Sequence, residues 1–73
     1  MTMKNRQPRA CKKLEAWLVL NEISRAEFAE QIGVDRSVVY KWLDGTHRPK
    51  WPWRTDVIDR ITNGAVQADD WTK

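Results

Sequence analysis

A single residue, Val34, separates a helix stop from a helix start, and this spacing constrains the chain more than any other feature. Gly33 takes a positive φ without steric cost and so ends a helix well. Asp35 is a good N-cap, and its carboxylate suits the positive end of a helix. Upstream, Ser24 is followed three residues later by Glu27, the spacing at which each side chain bonds the other's free backbone N–H. Ile23 and Phe28 stand where a hydrophobic staple closes over that cap. These signals predict one helix over 25–32 and a second from Arg36 to Leu43 or Asp44, ending before Gly45.

Two further helices are expected. Leu14, Trp17 and Leu18 fall at i, i+3 and i+4, with Cys11 one turn earlier, which predicts a helix from Arg9 to about Leu20–Glu22. Pro52 is acceptable in a first turn, and Trp53, Val57, Ile58 and Ile61 recur at helical spacing behind it, before Asn63-Gly64. Val66 and Trp71 lie beyond, on a stretch with room for one helical turn. The expected architecture is all-α: a compact four- to five-helix bundle with a basic N-terminal arm. It divides into the arm (1–8), the helical domain (9–64) and a short tail or single turn (65–73).

Length narrows function. Seventy-three residues form one small domain that buries only about 60% of its unfolded surface, which leaves no room for a deep, water-free cleft. One cysteine and one histidine exclude an internal disulfide framework and a Cys/His zinc site. There is no nucleophile–base–orienter set, no phosphate-cradling glycine loop and no metal set, so an enzyme is not expected, nor a cofactor or small-molecule substrate. The longest wholly apolar run, 16–20, is too short to cross a membrane. No signal-peptide core follows the basic start. The expectation is a soluble, cytoplasmic protein.

The distribution of charge is more informative than the net +3. Residues 1–13 hold five basic side chains and no acidic ones, 14–33 sum to −3, 34–54 to +3 and 55–73 to −2. Alternating blocks predict a polar molecule with one face suited to a polyanion, although scattered surface charge is the plainer reading. On the helix after Gly33, a turn of about 100° per residue gathers Val38, Val39, Trp42 and Leu43 on one side. Arg36, Ser37, Tyr40, Lys41 and Asp44 lie opposite. That outer face carries cations, a hydroxyl and a phenol, donors of the kind that meet base edges in a major groove. The plain alternative is a solvated helix face.

The run Ser24-Arg-Ala-Glu-Phe-Ala-Glu-Gln-Ile-Gly33-Val-Asp-Arg-Ser-Val-Val-Tyr-Lys-Trp42, followed by Gly45 and Arg48-Pro49, resembles the phage repressor and Cro-type helix-turn-helix family. The likeness spans about Leu14 to Gly64. It implies a sequence-specific binder of double-stranded DNA, a repressor acting as a homodimer on a pseudo-palindromic operator. Base reading would fall to Arg36, Ser37, Tyr40 and Lys41. Phosphate contacts would fall to Arg25, Arg48 and Lys50, with Arg6 and Arg9, and Lys4 beside them, reaching from the arm. The family often has glutamine where Arg25 stands. Glu22, Glu27 and Glu30 should face away from DNA.

Five tryptophans are a heavy aromatic load. Trp17 and Trp42 are expected in the core. Trp51, Trp53 and Trp71 are left between core packing, self-association (Trp51, Trp71) and stacking on DNA. A second function class is an antitoxin-like interaction module whose Trp-rich C-terminal third binds a partner protein.

Overall fold

Local caps set most of the architecture. The computed structural model describes residues 8–72, and among them every regular element is helical. The elements are α1 (Arg9–Leu20), α2 (Arg25–Ile32), α3 (Arg36–Asp44), α4 (Trp53–Ile61) and a closing 3-10 turn, Ala68–Trp71. The expected arm falls outside the described residues apart from Pro8, which is buried and caps α1. Arg6 and Lys4 lie outside them as well.

The predicted capping box at α2 is formed in both directions. The Glu27 N–H donates to Ser24 Oγ at 3.0 Å, and the Ser24 N–H donates to Glu27 Oε1 at 2.8 Å. Gly33 closes the helix at φ 90° in the left-handed region, and its N–H bonds the Ala29 carbonyl at 2.8 Å. An added Cβ at Gly33 would meet nothing within 4 Å, so its requirement for glycine is conformational rather than steric. At the end of α1 no glycine is available. Glu22 makes the left-handed turn instead, at φ 55°, a conformation that costs an ordinary residue about 1 kcal/mol or more.

α2 and α3 pack against each other, α1 lies against α3, and the closing turn rests on α1 and α4. The core is built from Cys11, Leu14, Leu18, Phe28, Val39, Trp42 and Ile58, joined by Val66 and Trp71. Trp17 meets Phe28 edge-on at 6.0 Å between ring centroids, and Trp42 meets Trp71 at 6.4 Å.

One expectation is corrected here, and two that the sequence left open are decided. Trp71, a candidate for self-association, is 1% exposed; it is a core residue and is withdrawn from any surface role. Of the two alternatives for the segment after Gly64, the single turn is the one formed, at Ala68–Trp71, and it belongs to the bundle because Val66 and Trp71 join the core. Trp53, which the sequence left between core and surface, is 61% exposed. Thr55 and Thr62 are buried with Ile58 instead, their hydroxyls donating to the Pro52 and Ile58 carbonyls at 3.0 and 2.8 Å.

Asp70 fastens the closing turn. Its carboxylate is buried, accepts the Gln67 N–H at 2.9 Å and the Lys13 ammonium at 3.1 Å, and pairs with Arg9 at 3.2 Å. Burial pushes its pKa up, but the Gln67 N–H, Lys13 and Arg9 outweigh that and hold it below the ordinary aspartate value.

Candidate nucleic-acid interface

The buried side of α3 fixes which side faces out. Val39 and Trp42 are sealed in the core, and Val38 and Leu43 are half-buried against it. One helical repeat then presents Arg36, Ser37, Tyr40 and Lys41 to solvent, all four exposed. Asp44 closes the same face.

Two hydrogen-bonded carboxylates bracket this surface. Asp35 accepts the Ser37 hydroxyl at 2.6 Å and the Ser37 N–H at 3.0 Å, which holds its pKa below the usual range. Ser37 is therefore tied to the cap through its hydroxyl proton, and its oxygen lone pairs remain its means of contact with a ligand. Hydrogen bonds from Thr46 hold Asp44 low in the same way.

Arg25 opens α2 beside this face. Its guanidinium lies 5.3 Å from the Tyr40 ring centroid and 3.6 Å from Glu15 on α1. The cation so links three helices through a ring and a carboxylate. Glu15 was not expected at the site; it lies on α1, distant in sequence, and no local pattern marks it.

On the other flank, an open groove of about 420 Å³ runs between α3 and the segment leading into α4. Lys41, Arg48 and Lys50 line it, as do His47 and Arg54, of which Arg54 had no role assigned from the sequence. Arg48 donates from Nε to the Trp71 carbonyl at 2.8 Å, so it also ties this segment to the core. Arg54 donates to the Ile32 carbonyl at 3.2 Å and lies 4.3 Å over the Trp53 ring.

Arg9 stands at the helix start where the periodicity put it, not on the arm from which a phosphate contact was expected. It opens α1 and pairs with Asp70, so its charge is engaged at the closing turn rather than carried on an arm. The remaining sequence-predicted cations, Arg25, Arg48 and Lys50, flank α3 on its two sides. No family model matches the chain, and no curated protein or solved structure shows significant similarity to it.

Proposed function

We propose that the protein is a sequence-specific binder of double-stranded DNA that acts as a transcriptional regulator, in the manner of a small repressor. On this reading α2 and α3 are a helix-turn-helix, and α3 enters the major groove with Arg36, Ser37, Tyr40 and Lys41 toward the bases. The observation that carries it is the division of α3 into an apolar side packed on the core and an exposed polar one with two cations. Cations on both flanks support it, since phosphate contacts position a reading helix and base contacts specify the sequence.

A helix of nine residues reads only a few base pairs. Two copies on a two-fold site, with their α3 helices about 34 Å apart, supply the rest of the specificity. The test is selection from a random-sequence duplex library, followed by measurement of stoichiometry on the selected site. Enrichment of a two-fold symmetric sequence bound by two copies is the expected result. Recovery of no consensus at all would refute the reading.

A further inference from the structure

The groove beside α3 has a composition that reading of duplex bases does not require. Five of its lining residues are basic (Lys41, His47, Arg48, Lys50 and Arg54), and the rest, Val34, Val38, Trp42 and Pro49, are apolar. No carboxylate lines it, whereas the grooves on the other side of α3 contain Glu15 with Glu22 or Asp44. Two of its lining residues, Lys50 and Arg54, bracket Trp51-Pro52-Trp53 in the chain, and Trp51 and Trp53 are 60% and 61% exposed. Arg54 stacks on Trp53 at 4.3 Å and is itself fixed to the Ile32 carbonyl, so that indole is held by its neighbour while most of its area faces solvent.

Exposed aromatic area of this size calls for a partner. A second copy of this chain is a poor one: a two-fold interface sets the same patch against itself, and here that brings Arg48, Lys50 and Arg54 against their own images. The partner must be anionic and must offer flat apolar faces to the two indoles. An unpaired nucleic-acid strand offers both at once, with phosphates for the cations and free base faces for the tryptophans. In a duplex those faces are covered by stacking.

We propose that the groove lined by Lys41, Arg48, Lys50 and Arg54, with Trp51 and Trp53 between two of these residues in the chain, binds single-stranded nucleic acid by base stacking on the indoles. The site stands independently of the duplex-reading role of Arg36. It shares Lys41, Arg48 and Lys50 with the proposed duplex interface, so single strand and duplex compete for one molecule.

The test measures fluorescence anisotropy of labelled dT12, its uridine counterpart U12, a mixed-sequence 12-base-pair duplex and a peptide of alternating Asp and Phe, each at low salt. The full chain is compared with Trp51→Ala, Trp53→Ala and Arg36→Ala, and folding is checked by far-UV circular dichroism; both tryptophans are exposed, so the fold should persist. Expected are binding of dT12 and U12, quenching of indole fluorescence, and a loss of about 5- to 150-fold for each tryptophan variant, since each stacked base contributes about 1–3 kcal/mol. A preference between dT12 and U12 identifies the sugar that the site favours. Arg36→Ala should leave dT12 binding unchanged even where duplex selectivity is lost, which separates failure of this site from failure of the duplex reading. Absence of dT12 and U12 binding would overturn the proposal. So would tryptophan variants that bind single strands within twofold of the parent, an equal loss on the duplex, or tighter binding of the acidic peptide, which would assign the groove to a protein partner.

Discussion

Among single residues, Arg36 and Asp70 have the most to decide. Arg36 is exposed at the start of α3, where, after the Ser37 hydrogen bonds, its charge helps to hold the neighbouring Asp35 carboxylate low. Arg36→Ala should weaken binding to the selected duplex by about 1–3 kcal/mol and relax preference at one base position, as read by repeating the library selection with the variant. An unchanged consensus would remove Arg36 from the reading set. Asp70 is a stability matter. Asp70→Asn leaves the shape but removes the charge that Lys13, Arg9 and the Gln67 N–H meet. The two cationic side chains are about half exposed (48% and 55%), so the loss should be about 1–2 kcal/mol rather than that of a fully buried pair. The sign with pH follows from the lowered native pKa. Asp70 contributes stability above its unfolded value of about 3.9, and this is lost as pH falls through the lower native value. Urea unfolding from pH 7 to 2 should therefore show a shallower acid limb in Asp70→Asn than in the parent.

Elements divide according to how local their determinants are. The bounds of α2 and α3 were legible because Ser24, Glu27, Gly33, Asp35 and Gly45 act within three residues of the chain end they cap. Gly33→Ala should cost about 1 kcal/mol or more through its left-handed φ alone, since there is open space for the methyl group. Thermal unfolding checks this, and a neutral result would mean that the turn relaxes. Glu22→Gly is the reverse case: a stabilisation of about 0.5–1 kcal/mol is expected from relieving an ordinary residue at φ 55°. The end of α1 was less legible for the same reason, because no residue type advertises a left-handed glutamate. The closing turn was only half legible, because Trp71 was left between core packing and a surface role. Ala68–Trp71 is short and acidic, and it packs on Trp42, far back in the sequence, and pairs with Arg9 and Lys13 on α1. Trp53 was left undecided for a related reason, since helical spacing alone does not reveal that it stays exposed with Arg54 over its ring.

For the whole molecule, the separation of charge governs association. The groove beside α3 is free of carboxylates, while Glu15 and Glu22 line the opposite flank, a polarity already visible in the sign changes along the sequence. What periodicity could not supply was which cations converge, because Arg54 joins Lys41 only through the path of the chain after α3. If the duplex reading holds and about six phosphates are neutralised, affinity for the selected site should drop roughly 10³-fold between 50 and 200 mM salt. A flat salt response would contradict it. A chain cut after Gly64 should fail to fold cooperatively, since it lacks Val66 and Trp71 from the core, and the loss of one buried tryptophan alone costs about 3–5 kcal/mol. The far-UV spectrum and unfolding profile of that truncated chain test this.

The Asp70 clamp also has a mechanical meaning. Arg9 and Lys13 at one end of the described chain grip a carboxylate two residues from its other end, so tension applied between the two ends is carried by those contacts before any helix is stretched. Pulled in that direction, the molecule should yield first where Asp70 lets go, drawing the Trp71 indole out of its seat like a plug while α2 and α3 are still intact.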